Sequence, residues 1–347
     1  MNKIGIIKGK GSGFELTQIF KNFVSLIVKE IYNEKIEFIE TNNIYETYWS
    51  IREHKLNDIP KIISKEVIEL QNEINSLIEN EVNYCFRTGI NAETLYLLRQ
   101  RFNVKKEILI NYKKNKILII RDETQGFYAN NYSTYSEKKI EYCGEYTEKK
   151  ISGLIDFSIE KGHKYLSNDF KIFSIFKYHL FGNVLEKWFN KYRNKEIKLY
   201  QPDTGIFKIF NYFEDSNNND LLLIVSNEVG DIIYEFLIKF FNLGNKNELF
   251  TKNIYFSNNK QLEVFQTVHG SADNIANQDI INPISTIRVA TKIISELFQD
   301  NKLLLSLESA ISSLKNDNIK TRDQGGSYNT RKYIEHLTSK FFINYGK

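Results

Sequence analysis

The sequence predicts an α/β protein of more than one domain. Three observations lead there. At 347 residues the chain exceeds one ordinary domain. Short all-apolar runs at residues 117–120 and 221–225 read as buried strands. These alternate with segments of helical apolar spacing, the order from which helix-flanked sheets are built. The apolar fraction of 41%, to which 17 glycines add, is enough for a real core.

Along the chain, residues 4–7 read as a buried strand, Gly9-Lys10-Gly11-Ser12-Gly13 as a tight turn, and residues 14–31 as a helix whose apolar face carries Ile19, Phe20, Phe23, Ile27 and Ile31. Strand, glycine turn and helix is the order in which phosphate-binding loops occur. It is not the dinucleotide fingerprint, because Phe14 stands where a third glycine is required. Residues 61–81 carry Ile63, Val67, Ile68, Leu70, Ile74, Leu77 and Ile78 at helical spacing and read as a core-facing helix. Lys113-Lys-Asn-Lys116 reads as a solvated turn before the strand at 117–120, and residues 216–219 as a polar loop. The strand at 221–225 is followed by Ser-Asn-Glu-Val-Gly and a helix over 231–241. Internal repeats are absent, and 3 prolines mark no linker.

Composition excludes several classes of function. The net charge of +4 comes from 47 basic and 43 acidic side chains, too even a balance for a protein that binds by neutralising nucleic-acid phosphates. The 14% aromatic content accompanies abundant Asn, Ile and Lys throughout and reads as codon bias. Cys85 and Cys143 are far apart and form no metal-ligand spacing. The amino terminus is a short strand pattern rather than a secretory signal, and no segment reaches the ~20 apolar residues that span a bilayer. A cytoplasmic protein with no membrane or nucleic-acid partner is expected.

The most informative segment is residues 263–283, Glu-Val-Phe-Gln-Thr-Val-His-Gly-Ser-Ala-Asp-Asn-Ile-Ala-Asn-Gln-Asp-Ile-Ile-Asn-Pro. Physically, His269 offers a ring to stack on a base, Gly270 allows close backbone approach, and Ser271, Asp273 and Asn274 supply polar groups for a ribose. The competing reading is a polar surface turn. The segment resembles the adenosine-binding loop of the metal-dependent decarboxylating dehydrogenases, the isocitrate and isopropylmalate dehydrogenase family, in which Glu-Pro-Val-His-Gly-Ser-Ala-Pro-Asp-Ile-Ala-Gly precedes Ala-Asn-Pro. Further islands follow in the family's order. Leu97-Leu-Arg-Gln-Arg-Phe102 is similar to Leu-Arg-Gln/Lys. Ile120-Arg-Asp-Glu-Thr-Gln-Gly-Phe-Tyr128 is similar to Arg-Glu-x-Thr-x-Gly-x-Tyr. Asn227-Glu-Val-Gly-Asp-Ile-Ile-Tyr-Glu235 is similar to Asn-x-Phe-Gly-Asp-Ile-Leu-Ser-Asp, and Thr321-Arg-Asp-Gln-Gly-Gly326 to Thr-Arg-Asp-Leu-Gly-Gly. The glycine turn is similar to the family's opening Gly-Asp-Gly-Ile-Gly-Pro-Glu.

The resemblance implies two α/β domains with mixed sheets flanked by helices, an isopropylmalate-dehydrogenase-like fold and not a Rossmann fold. Residues 1–103 and 256–347 would form the cofactor domain, and 104–255 the substrate, metal and dimerisation domain. It implies a divalent cation, Mg²⁺ or Mn²⁺, held by Asp203, Asp231 and Glu235, with Asp203 reaching across a homodimer interface. It places Arg99, Asn111, Arg121 and Phe181 at the substrate, a 2-hydroxy acid, and Tyr128 as proton donor with Asp203 in the catalytic set. It places His269, Gly270, Ser271, Ala272, Asp273, Asn274, Ile275 and Asn282 on the dinucleotide, with NAD favoured over NADP because no basic residue in the loop meets a 2′-phosphate.

Carboxylate oxygens suit a hard cation, an arginine fork matches a carboxylate, and a tyrosine hydroxyl can deliver a proton. Without the family, Asp231 and Glu235 are equally an acidic helix start, Arg99 and Arg121 ordinary ion pairs, and Tyr128 one of 21 tyrosines. Three departures stand out. Asn111 replaces an arginine, Phe181 replaces the partner subunit's catalytic lysine, and Glu235 replaces an aspartate. Two expectations follow: NAD-dependent oxidation, with decarboxylation, of a malate-type acid altered from the family's usual substrates, or a catalytically silent relative acting as a regulatory subunit, homodimeric or paired with an active homologue.

Overall fold

The computed structural model describes the chain apart from residues 1, 127–131, 136–137, 193–194, 215–218, 243–248, 258–259 and 268–270, and gives backbone alone for 132–135, 140 and 142. In chain order the elements are β1 (Asn2–Gly9), α1 (Gly13–Ile27), β2 (Ile36–Tyr45), α2 (Ile59–Glu79), β3 (Tyr84–Arg87), α3 (Ala92–Arg101), β4 (Asn103–Tyr112), β5 (Asn115–Asp122), β6 (Tyr132–Tyr135), β7 (Ile140–Cys143) and α4 (Glu148–Tyr165). They continue with β8 (Lys171–Ile175), α5 (Val184–Asn190), β9 (Lys198–Tyr200), α6 (Pro202–Glu214), β10 (Leu221–Val225), α7 (Asn227–Phe240), β11 (Phe250–Ser257), β12 (Lys260–Thr267), α8 (Ile284–Phe298), α9 (Lys302–Asn316) and α10 (Thr330–Tyr345). No helix among the described residues is long and apolar enough to cross a membrane.

The chain divides into two compact units, one of Met1–Leu98, Asn245–Thr251 and Ser257–Lys347, the other of Arg99–Gly244 and Lys252–Phe256. The sequence reading sets the boundaries at 103 and 255; by contact, residues 99–103 and 256 go with the second unit and 245–251 with the first.

In the first unit β1 lies between β2 and β3, and β3 pairs with β12, all in parallel. Parallel strands are covered on both faces, which is why Ile4, Ile6 and Ile7 are all fully buried rather than alternating. Leu16, Phe20, Phe23, Val24 and Ile27 of α1 share its buried face and join residues of α8, α9 and α10 in one apolar cluster. Phe20 stacks on Phe86 of β3 with ring centroids 4.4 Å apart. The helix read at residues 14–31 widens into a π turn at Val28–Tyr32, which Asn33 stops in a left-handed conformation.

In the second unit the order is β11-β4-β5-β10-β8-β9, antiparallel from β11 to β5 and parallel from β5 to β9. Every residue of β10 is fully buried, as its unbroken apolar run requires. Leu118 and Ile120 of β5, Leu222 and Ile224 of β10, and Ile151, Leu154 and Ile155 of α4 form the core. The β4–β5 hairpin turns at Lys113, whose φ is +51°. The helix expected from 231 starts four residues sooner, at Asn227, because Ser226 closes its first turn. The Ser226 hydroxyl donates to Glu228 at 2.9 Å, and its carbonyl accepts from the Gly230 amide at 2.9 Å.

Candidate active site

Within the second unit, strand register builds a buried charge cluster. Lys106 on β4 lies directly opposite Arg121 on β5, and residues opposed across antiparallel strands project to one face. Immediately after β5 the chain locks into a turn. Asp122 accepts from the backbone amide and hydroxyl of Thr124, both at 2.9 Å, and from the Gln125 side chain. The Glu123 amide donates to the Val104 carbonyl at 3.1 Å. Gly126 takes a φ of +74°, and a Cβ there would lie 2.2 Å from the Tyr146 hydroxyl. The turn thus explains the residue types at 121–126 and fixes the Glu123 side chain inward.

Glu123 is fully buried and ion-paired to the Arg99 and Arg121 guanidinium groups. Lys106 Nζ stands 3.8 Å from its Oε1, and the Asn227 side-chain amide donates to its Oε2 at 3.3 Å. Burial alone would raise the Glu123 carboxyl, but Arg121, Arg99 and Lys106 outweigh it and hold it well below the usual carboxylate range. Burial lowers Arg121's basicity, yet Glu123 and Asp231 more than restore it. Lys106 goes the other way, since burial, helped by Arg121, pushes its ammonium down to about 7 despite Glu123.

The helix α7 supplies the rim. Asp231, whose side chain is 48% exposed, is ion-paired to Arg121 Nη1. Asp231 and Glu235 are four residues apart on one helix face and share a shallow surface depression with Ile232 and Phe236. Gly230 lets Arg121 lie across the helix, because a Cβ there would come within 2.4 Å of Arg121 Cδ.

The other expected substrate and metal residues are not gathered here. Asn111 sits opposite Lys116 at the far end of β4, five residues or ~17 Å along the strand from Lys106. The buried cation beside Arg121 is Lys106, so the position assigned to Asn111 is corrected by register. Phe181 packs in its own unit, its ring 5.4 Å from that of Tyr146. Asp203 is exposed in the first turn of α6, and among the described residues no three acidic, His or Cys side chains lie close enough together to hold a metal ion. Tyr128 lies outside the described residues.

In the first unit, the glycine turn and the segment at 271–275 meet directly. The Ser12 amide donates to the Ser271 carbonyl at 3.2 Å, and the Ser12 hydroxyl bonds the same oxygen. A Cβ on Gly89, just after β3, would lie 3.2 Å from Ser271 Cα, so glycine there eases this close approach. Asp273, expected to offer its carboxylate to a ribose, is instead turned inward. Its Oδ2 accepts from the Thr47 hydroxyl at 2.6 Å, and its Oδ1 lies over Gly11, where a Cβ would be only 1.6 Å away. Ala272 adopts a left-handed φ of +49° to turn it there. Glu46 accepts from Lys10 at 2.5 Å and contacts His54 at 3.0 Å. Burial would raise the Glu46 carboxyl, but these contacts with Ser50 hold it below its ordinary value.

Asn274 is exposed and Ile275 packs against the first unit's core. Asn282 has both ends engaged, its amide donating to Asp323 at 2.9 Å and its oxygen accepting from the Ile284 amide at 3.0 Å, which starts α8. Residues 263–267, read as part of the loop, belong to β12. His269 and Gly270 lie outside the described residues.

Among the described residues, two buried polar atoms here have no hydrogen-bond partner, Ser271 Oγ and Asp273 Oδ1. Such atoms fit a hydroxyl-bearing ligand such as a dinucleotide ribose. Asp231 and Glu235 fit a hard cation that keeps several waters and takes one or two carboxylates from the protein, with Arg121 competing for Asp231. Sequence reasoning missed Lys106 and Glu123. The signal was present in Lys105-Lys-Glu107 and Asp122-Glu123, charges set inside or beside apolar strand runs.

Comparison with known proteins bears on the family and the fold. A family model described as isocitrate/isopropylmalate dehydrogenase matches residues 3–337. The isocitrate/homoisocitrate dehydrogenase of Pyrococcus horikoshii is 24% identical over 318 residues, covering 88% of this chain and 83% of its own. The 3-isopropylmalate dehydrogenase of Staphylococcus saprophyticus is 25% identical over 239 residues, 67% of this chain and 65% of its own. The crystal structure of isocitrate dehydrogenase from Methylococcus capsulatus has a TM-score of 0.65 over 98% of this chain and 99% of that chain at 16% identity, which shows a shared fold.

Proposed function

We propose, from the premise that this chain belongs to the isocitrate/isopropylmalate dehydrogenase family, that it oxidises a 2-hydroxy acid with NAD and Mg²⁺ or Mn²⁺, on a substrate altered relative to isopropylmalate and isocitrate. The observation that carries the reading is the buried cluster in which Glu123 draws Arg99, Lys106 and Arg121 together, with Arg121 reaching out to the half-exposed Asp231 of α7. Cations beside a half-exposed carboxylate pair can orient an acid and a metal together. Asp231 and Glu235 would hold the cation. Ser271 and Asn274 would hold the dinucleotide, which when bound accepts the hydride of the oxidised carbon. Arg121 positions Asp231 by pairing with it, and the buried cluster behind excludes water from that side.

The test is NADH formation followed by absorbance with purified protein, Mg²⁺ or Mn²⁺, and a panel of 2-hydroxy acids. Turnover on one of them is expected, and none on any would reject the reading. One observation favours a second reading, a silent relative acting through a partner chain. Phe181, where the resemblance puts the catalytic lysine, packs on Tyr146 and cannot relay a proton. NADH binding without turnover would select it.

A further inference from the structure

We infer that the cleft between α1 and α10 is a binding site for an α-amino acid with a large apolar side chain. None of the residues assigned to the acid, the cation or the dinucleotide lines this cleft, so the inference stands apart from the oxidoreductase reading.

One face of α1 turns Glu15, Gln18, Ile19, Asn22, Phe23 and Leu26 to the cleft, at the three- and four-residue spacing of a helix stripe. From α10 come Thr330, Arg331, Ile334, Glu335 and Thr338. Below the surface the Phe23 ring meets that of Phe341 edge-on, centroids 6.0 Å apart, which ties the two helices together. The space left between them is about 570 Å³, within the range of small-molecule sites. Its floor is apolar through Ile19, Phe23 and Ile334, and the exposed Phe14 and Leu26 flank it. Large apolar side chains gathered at a hollow, unlike ones scattered singly, mark a surface that binds. Two lining residues depart from the family pattern, Phe14 standing where the opening turn has proline and Asn277 where Ile-Ala-Gly ends in glycine.

The charged groups at one end decide the ligand. Asn277 and Asp279 close that end, both left-handed with φ of +60° and +58°. Glu15 Oε2 accepts from the Asn277 amide at 2.9 Å, and Asp279 Oδ1 accepts from the Arg331 amide at 3.0 Å. Each carboxylate is thus anchored by one oxygen, and among the described residues its other oxygen takes no hydrogen bond or ion pair. The Arg331 guanidinium likewise pairs with no carboxylate among the described residues, although the amide of the same residue touches Asp279. Anchored carboxylates beside an uncommitted guanidinium, over an apolar floor, complement a molecule that carries ammonium, carboxylate and an apolar group on one carbon. An amine alone would leave Arg331 unmatched. An apolar acid alone would be repelled by Glu15, Asp279 and Glu335.

The test is titration of the full chain with L-phenylalanine, L-alanine, phenethylamine and hydrocinnamate, followed in its amide NMR spectrum. L-Phenylalanine should bind saturably with a dissociation constant of about 1 mM or tighter, as a matched ligand of its size can. L-Alanine lacks the apolar body, phenethylamine the carboxylate and hydrocinnamate the ammonium, and each should bind more weakly by about tenfold or more. Arg331→Gln changes an exposed position. Asp279→Asn keeps an acceptor for the Arg331 amide and a residue type that tolerates left-handed φ. Each variant should weaken L-phenylalanine by about tenfold or more while keeping the wild-type circular dichroism, and Arg331→Gln decides alone should Asp279→Asn fail to fold. Absence of saturable L-phenylalanine binding overturns the inference, as does equal affinity for phenethylamine, hydrocinnamate or L-alanine, or undiminished affinity in Arg331→Gln. None of these readouts depends on turnover or on NADH, so failure here leaves the oxidoreductase reading to its own assay.

Discussion

Replacing Gly230 by alanine sets two opposed effects against each other, and the structure decides the winner. In an ordinary helix interior the substitution stabilises by about 1 kcal/mol, because alanine has less backbone freedom to lose. Gly153, in α4, is such a site, with nothing within 4 Å of a new Cβ. At Gly230 the added carbon would fall 2.4 Å from Arg121 Cδ, 2.8 Å from Arg121 Cγ and 2.8 Å from Val225 Cγ2. Arg121 cannot swing aside freely, being held at Nε by Glu123 and at Nη1 by Asp231. Overpacking costs about 1 to 3 kcal/mol, and stripping a buried charge of its partner costs about 3 to 5. Partial relief of the two should leave Gly230→Ala less stable than wild type by roughly 2 to 4 kcal/mol. Gly153→Ala should be more stable by roughly 0.5 to 1 kcal/mol. Urea unfolding of the two variants at one pH, with unchanged denaturant slopes, measures both. If Gly230→Ala stabilised the protein as Gly153→Ala does, the packing of Arg121 across α7 would be refuted, and the ion-paired cluster with it.

Other perturbations test other parts. Lys106, with a folded value near 7, releases its proton in the fold above that pH, where an unfolded lysine still keeps it. Wild-type stability should therefore rise from pH 7 towards about 10 by up to about 1.4 kcal/mol per pH unit from this group, and Lys106→Met should flatten that rise. Lys105, lowered to about 8 by burial against the pull of Asp122 and Asp156, adds a rise of the same sign and is the control. An unaltered pH slope in Lys106→Met would show that the lysine is not buried. Thr47→Val removes the donor to Asp273 Oδ2 and should destabilise by about 1 to 3 kcal/mol, the usual cost of an orphaned buried acceptor. A midpoint equal to wild type would mean that Asp273 faces solvent. Phe181→Ala should cost roughly 1 to 3 kcal/mol of stability through lost contact with Tyr146. If stability held and the molecular mass by light scattering fell instead, the ring would belong to an interface between copies.

What the sequence alone determined is whatever rests on neighbours along the chain. The apolar runs at 117–120 and 221–225 became β5 and β10, residues 59–79 became α2 near the expected limits, and the glycine turn fell between β1 and α1. Periodicity and turn chemistry act over a few residues, so they are legible in order. The family, too, was legible in short islands whose residue types meet local demands, as Gly126 and Gly230 do. What the tertiary structure decided is which distant charges meet. Lys106, not Asn111, stands beside Arg121 because antiparallel register places it there, and Glu123 lies between two arginines because the Asp122 turn directs it inward. Asp273 points at Gly11 because Thr47, more than two hundred residues away in sequence, holds it. The energy of a buried ion pair depends on three-dimensional separation and on exclusion of water, and neither is a property of sequence spacing.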